Sequence, residues 1–232
     1  MKHEDALLRS RIFASAPWIA GMAVVFALCA MWQYPGGTSL DAHTAGYSLS
    51  RNFLSDLGMT VAYNGEPNAV GVACFVASML VMVAGAIAVL GQWVRVYVAV
   101  PESRGVARAA GALGVLVCGA FVGVAFTPEN TVMPLHVGTT LLAFRTAPAA
   151  MTLFAWASYR TSRLPRRIAH TWTALAVVMT MYVAFITFGP STATDAGLRT
   201  MVLAQKLVTV VGAGILLLQC AHVREPLWRR AR

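Results

Sequence analysis

The sequence has few charged residues, and this scarcity excludes an ordinary soluble domain. Only 12% of its 232 residues are Asp, Glu, Lys or Arg, whereas 58% are hydrophobic and the mean hydropathy is +0.65. Soluble domains carry about 25% charged residues, because polar groups must cover their core. The composition therefore predicts a membrane protein.

Motifs for common cofactors and metals are also missing. The sequence contains no Gly-rich phosphate loop, Walker motif, Rossmann fingerprint or haem motif, and its four cysteines show no CxxC spacing. His136 would need two further strong ligands to bind zinc, and His43, Asp56 and Glu129 do not have ligand-like spacing. The sequence therefore predicts neither a cofactor nor a metal site.

Long apolar runs without acidic residues predict membrane-spanning helices. A helix needs about 20 mostly apolar residues to cross the hydrocarbon core of a bilayer. The predicted spans are residues 13–32, 69–93, 109–126, 134–159, 168–188 and 198–223. The predicted fold is all-α, a polytopic membrane bundle of six transmembrane helices that forms one domain over residues 1–232.

The basic residues predict how this bundle is oriented. Fourteen of the 18 Lys and Arg residues lie in four short segments, at 2–11, 95–108, 160–167 and 224–232. Six spans place all four segments on one side, which the positive-inside rule makes cytoplasmic. We therefore expect a multi-pass protein of the cell inner (plasma) membrane with cytoplasmic N- and C-termini. The expected partners are membrane lipid and a small amphiphilic ligand, and not nucleic acid, because the charges follow the topology rather than a groove.

The first outer loop, roughly residues 35–67, is long for a connection in a compact bundle. Residues 47–58 predict a short interfacial helix that begins at a serine cap and ends at Gly58 in a left-handed turn. Asn52 and Asp56 are four residues apart and would form a polar stripe along this helix. The alternative interpretation is a structural lid with exposed polar residues.

Three short motifs resemble those of a bacterial membrane family. They are Asn52-Phe-Leu-Ser-Asp-Leu-Gly58, then Phe126-Thr-Pro-Glu-Asn130, and then His136 at the start of the fourth predicted span. This arrangement resembles the family catalogued as domain of unknown function 998 (DUF998), and more distantly the eukaryotic Frag1/DRAM membrane proteins. The resemblance implies a small six-span fold in a membrane and brings no established activity.

Arg145 is the sharpest anomaly among the remaining polar residues. It follows His136 by nine residues, which places it about 13 Å further along the helix and near the middle of the membrane. An Arg at this depth costs about 2.5–3.5 kcal/mol, so we expect its side chain to face the bundle interior. Asp56 or Glu129 would then neutralise it, either in an anion or headgroup site or in a buried ion pair that fixes helix register.

These residues support three functional hypotheses. The first is an outward-facing polar vestibule that binds an amphiphile or a lipid headgroup, with the ligand-binding residues Arg145, Lys206, Asp56, His136, Asn52 and Glu129. The second is an intramembrane hydrolase or transferase, in which Ser55 is the nucleophile, Asp56 the orienting acid and His136 the base. The third is a small-solute or proton-coupled transporter, which interrupted helices would favour. Whether the chain is an enzyme is left open.

Overall fold

The computed structural model describes residues 7–8, 10–162 and 164–224, which form an all-α bundle with one small β-hairpin. In chain order the elements are α1 (Arg11–Gln33), β1 (Gly36–Thr38), β2 (Asp41–Ala45), a 3₁₀ helix (Ser55–Gly58), α2 (Ala69–Val98), α3 (Arg104–Phe126), α4 (Glu129–Tyr159), α5 (Arg166–Phe188) and α6 (Asp195–Arg224). Five of these helices, α1, α2, α3, α5 and α6, are long and apolar enough to cross a membrane. The all-α prediction is confirmed, and five of the six predicted spans correspond to helices that could cross a membrane.

Most helices extend beyond the predicted apolar spans. α2 continues to Val98, α3 begins at Arg104 and α4 begins at Glu129. The reason is that hydropathy marks only the part of a helix suited to hydrocarbon, whereas backbone hydrogen bonding continues into the polar flanks. Six basic residues that predicted the topology lie outside the described residues, namely Lys2, Arg9, Arg163, Arg229, Arg230 and Arg232.

The six helices form a closed ring. Each helix packs against the next one in the chain, and α6 packs against α1. Residues 34–68 hydrogen-bond both to the start of α4 and to the first half of α6, through Tyr63–Glu129 and Leu54–Gln205. The helices therefore alternate in direction, and residues 34–68 cover one end of the ring. We call this end the capped end and residues 34–68 the cap.

The half of the bundle away from the cap has an aromatic core. Trp93 stacks on Tyr97 with ring centroids 5.5 Å apart, and Phe154 stacks on Trp172 with centroids 4.6 Å apart. The Trp172 indole N–H donates to the Tyr97 hydroxyl at 3.1 Å, and that hydroxyl lies 2.5 Å from Ser158 Oγ. Because aromatic contacts and satisfied hydrogen bonds join α2, α4 and α5 here, this half forms a rigid base.

The cap corrects the prediction of an interfacial helix over residues 47–58. Only Ser55–Gly58 is helical, as a single 3₁₀ turn, and Gly58 does not adopt a left-handed conformation. Asn52 Oδ1 accepts the backbone N–H of Ser48, and Asp56 Oδ2 accepts that of Phe53. The Phe53 N–H is a donor that would otherwise bond within a helix, so its bond to Asp56 competes with helix formation at this point.

Arg145 also departs from its prediction, because its side chain is exposed on the outside of the bundle. α4 packs inward through Ala143, Ala147 and Ala150, small residues that allow neighbouring helices to approach closely. Arg145 is two residues from both Ala143 and Ala147 and therefore lies about 200° around the helix from that face. It forms no hydrogen bond or ion pair with any described residue, so the expected pairing with Asp56 or Glu129 is wrong.

The contact between the 3₁₀ turn and α2 yields a stability prediction. A Cβ at Gly58 would lie 2.7 Å from Cε1 of the buried Phe75 ring, so Gly58→Ala is expected to destabilise the protein by about 1–3 kcal/mol. The matched control is Gly138→Ala, since a Cβ there meets nothing within 4 Å and alanine favours a helix. Thermal unfolding in detergent measures both. Equal melting temperatures for the two variants would contradict the packing of the cap on α2.

Candidate functional site

Three ionisable side chains are buried together at the capped end. The exposed fraction is 1% for Asp56, 9% for Glu129 and 6% for His136. Asp56 belongs to the 3₁₀ helix of the cap, whereas Glu129 and His136 belong to the first turns of α4. No cation in the described ranges forms an ion pair with Asp56. The junction between cap and bundle therefore holds two carboxyl groups and an imidazole in a low-dielectric environment.

Asp56 is held firmly through one oxygen only. Its Oδ2 accepts hydrogen bonds from Asn52 Nδ2 at 2.9 Å and from the Phe53 backbone N–H at 3.0 Å. Asn52 also donates to the Gly37 carbonyl at 3.0 Å, which ties Asp56 to the β-hairpin. The other oxygen, Oδ1, is buried without a hydrogen-bond partner among the described residues. Asn52 therefore positions Asp56 and leaves one carboxyl oxygen available.

Glu129 lies between the cap and His136. The Tyr63 hydroxyl donates to Glu129 Oε1 at 3.2 Å, and His136 Nε2 lies 3.8 Å from Glu129 Oε2. On the other side of the ring, His136 Nδ1 is 2.6 Å from the Thr127 carbonyl oxygen. Because a carbonyl oxygen can only accept, Nδ1 carries the hydrogen. In the neutral ring, the lone pair of Nε2 therefore faces Glu129.

The electrostatics of the site follow from this burial. Burial and the adjacent charge of Glu129 raise the pKa of Asp56 well above its usual range. Two carboxylates in one buried site cannot both ionise at low cost, so this arrangement favours retention of a proton by Asp56. Burial and the same two carboxyl groups also raise the pKa of Tyr34 and of Tyr63, which keeps both phenols protonated.

α6 binds the cap from the other side through two consecutive residues. Gln205 Oε1 accepts the Leu54 backbone N–H at 2.8 Å. Lys206 Nζ donates to the Asn52 carbonyl at 2.5 Å and lies 5.3 Å from the centre of the Tyr47 ring. In the part of the chain that the structure describes, Lys206 has no carboxylate within ion-pair distance. It is thus a cation without a close counter-ion at the edge of the cap.

Other charged residues also lie on the α6 side of the capped end. Asp195 accepts from Arg51 Nε at 2.6 Å and from Arg199 Nε at 2.8 Å. Because these groups are exposed, the ion pairs contribute little to stability. The α6 side of the capped end therefore carries excess positive charge, whereas the α4 side carries the buried acids.

The structure brings together some of the predicted site residues and separates others. Asn52, Asp56, Glu129 and His136 meet at one junction, and Lys206 reaches it through the Asn52 backbone. Arg145 lies elsewhere, on the exposed face of α4.

The hydroxyl of the proposed nucleophile, Ser55, forms no hydrogen bond with His136 or with any other described residue. A nucleophile must lie within hydrogen-bond reach of its base, so the observed contacts do not supply an acyl-transfer triad. Tyr63 and Thr127 are site residues that the sequence did not reveal, because no local pattern marks their contacts. Nor do any three His, Cys, Asp or Glu side chains within the described ranges converge as metal ligands.

In comparisons with known proteins, the chain matches no protein-family model, no curated protein and no solved structure. The resemblance to domain of unknown function 998 and to Frag1/DRAM therefore stays a prediction.

Asp56→Asn is expected to raise the melting temperature at neutral pH. The folded state of the wild type retains a proton that the unfolded chain loses above about pH 4. The stability of the wild type therefore falls as the pH rises from about 4 through the raised pKa of Asp56. Asparagine keeps an acceptor for Asn52 and Phe53 and cannot ionise, so the variant should lose this part of the pH dependence.

Thermal unfolding in detergent across this pH range measures the effect. Asp195→Asn serves as the control, because Asp195 is exposed and its ion pairs contribute little to stability. A wild-type melting temperature that rises with pH over the same range would contradict a protonated carboxyl pair.

Proposed function

We propose that the chain is a six-span protein of the cell inner (plasma) membrane with both termini in the cytoplasm. α4 is the least apolar helix, since it contains Arg145 and two prolines, but it has 31 residues and lies in the ring between α3 and α5. α3 and α5 have 23 residues each, so α4 is longer than both of the neighbours that enclose it and is itself placed to cross. With six spans, the capped end faces away from the cytoplasm and the basic segments lie on the opposite side.

The proposed function is proton-coupled transport of a small solute, with the cap as a gate controlled by protonation. Its main support is the burial of Asp56, Glu129 and His136 at the contact between the cap and α4. Ionisable residues inside membrane proteins are costly, and series of Asp, Glu and His are typical of proton relays in pumps and transporters. These three side chains lie at the contact between the cap and α4, so the gain or loss of a proton changes the charge at that contact.

The proposed gate works through the charge of the carboxyl pair. With one shared proton, Asp56 and Glu129 attract each other and hold the 3₁₀ turn on α4. When the proton leaves, two negative charges remain in a low-dielectric site, and their repulsion favours release of the cap. His136 Nε2, which is 3.8 Å from Glu129 Oε2, serves in this scheme as a relay that passes the proton out of the site, because a proton kept on His136 would leave the net charge of the site unchanged.

Hydrogen–deuterium exchange of residues 47–58 in lipid nanodiscs tests the gate. After correction for the intrinsic pH dependence of exchange, the wild type should exchange up to about tenfold faster for each pH unit above the usual carboxyl pKa. Glu129→Gln removes the second charge and should weaken this pH dependence, whereas Asp56→Asn should abolish it, because burial by itself also raises the pKa of Asp56. Glu66→Gln is the control, because Glu66 is an exposed carboxylate of the same loop. Wild-type exchange that is independent of pH would refute the gate.

A second candidate function, binding of an anionic headgroup, is favoured by the cations of the α6 side. Lys206 lacks a carboxylate partner in the described residues, and Arg51 and Arg199 share the single carboxylate of Asp195. This version of the vestibule does not use Arg145, which lies apart from it.

Calorimetric titration with glycerol phosphate tests the headgroup hypothesis. Loss of one charged hydrogen bond costs about 1.5–3 kcal/mol, so Lys206→Gln should weaken binding at least tenfold. Arg145→Gln removes an equal charge outside the cluster and should bind like the wild type. Equal affinities for the wild type and Lys206→Gln would exclude this function.

A further inference from the structure

A groove of about 460 Å³ lies on the bundle surface between α4 and α5, in the half away from the cap. Its floor consists of the buried residues Ala155 and Ala176, whereas Trp156 and Met181 are half or more exposed along its sides. The volume falls in the range of about 300–1,000 Å³ that is typical of sites for small molecules. The groove is therefore large enough for a ligand and separate from the buried carboxyl cluster.

The chemistry of the groove fits hydrocarbon. Its three threonine hydroxyls all donate to backbone carbonyls of their own helices, with Thr152 bonding to Pro148, Thr173 to Ala169 and Thr180 to Ala176. Since these hydroxyls are already satisfied, the threonines present mainly their methyl groups. An acyl chain can fill such a groove without leaving a polar group unpaired.

Two arginines lie at the end of the groove furthest from the cap. Arg160 lies 5.7 Å from the centre of the Trp156 ring, and Arg166 lies 5.7 Å from that of Tyr159. Both are exposed, and neither has a carboxylate within ion-pair distance in the described residues. Residues 160–167 include four arginines and no acidic residue. Exposed tryptophan and tyrosine beside arginine are typical of the headgroup level of a membrane.

We propose that this groove binds an anionic phospholipid of the cytoplasmic leaflet, with one acyl chain between α4 and α5 and the phosphate at Arg160 and Arg166. The assignment of the leaflet rests on the proposed topology, whereas the binding itself does not. A second copy of this chain is a less suitable occupant, because a symmetric contact would bring two like-charged arginine rims together, and their charges would repel each other. A phosphate complements that charge.

Native mass spectrometry of protein from nanodiscs of mixed phosphatidylglycerol and phosphatidylcholine tests the proposal. The wild type should retain phosphatidylglycerol preferentially. Arg160→Gln/Arg166→Gln should lower this retention about tenfold relative to phosphatidylcholine, because each basic residue near a membrane surface adds to anionic-lipid binding. Val177→Phe places a large ring in the groove at an exposed position and should lower retention of both lipids.

Arg145→Gln is the matched control, because it removes an exposed arginine from the same helix away from the groove. Its lipid retention should equal that of the wild type, and thermal unfolding should show that all variants remain folded. Equal phosphatidylglycerol retention by the wild type and the double variant would overturn the proposal. So would a change from dimer to monomer in Val177→Phe with unchanged lipid retention, since the groove would then bind a second copy. Neither result depends on the pH response of the cap.

Discussion

The structure of the capped end depends on one interaction, the buried pair of carboxyl groups from Asp56 and Glu129. Burial opposes two adjacent negative charges and raises the pKa of Asp56. Asn52 and the Phe53 N–H fix one oxygen of Asp56, and Tyr63 and His136 contact Glu129. In the proposed gate, this contact links the seating of the 3₁₀ turn on α4 to the protonation of the carboxyl pair.

The two halves of the bundle have different physical roles. Away from the cap, stacked aromatic rings and satisfied hydrogen bonds join the helices into a rigid base. At the capped end, polar contacts from α4 and α6 act together with an apolar cluster, in which Tyr34 and Leu57 of the cap pack on Ala30 of α1 and Phe75 of α2. The carboxyl groups of this end are separate from the aromatic core. The proposed proton-linked movement and the proposed lipid binding would therefore occupy opposite ends of the same helices.

Arg145 shows why depth alone does not identify a functional residue in a membrane helix. Its position along α4 agrees with the estimate from the sequence, but the face of the helix is set by the small residues Ala143, Ala147 and Ala150, which pack inward. An arginine on the opposite face needs no buried partner, because its long side chain can extend along the surface towards polar groups. We expected the guanidinium to face the bundle interior because an unpaired arginine in the membrane is costly. That cost still applies, but the sequence did not reveal the rotation of α4, which places Arg145 on its outer face.

Local patterns in the sequence determined the helical class, five apolar helices and the long cap segment. Hydropathy and short spacings act within one segment, so they can be read without knowing what packs against it. Only the tertiary structure decided that Asp56 meets Glu129, that the Thr127 carbonyl sets the tautomer of His136, and that Arg145 faces outward. These outcomes depend on contacts between residues distant in the chain and on the rotation of each helix, which packing determines.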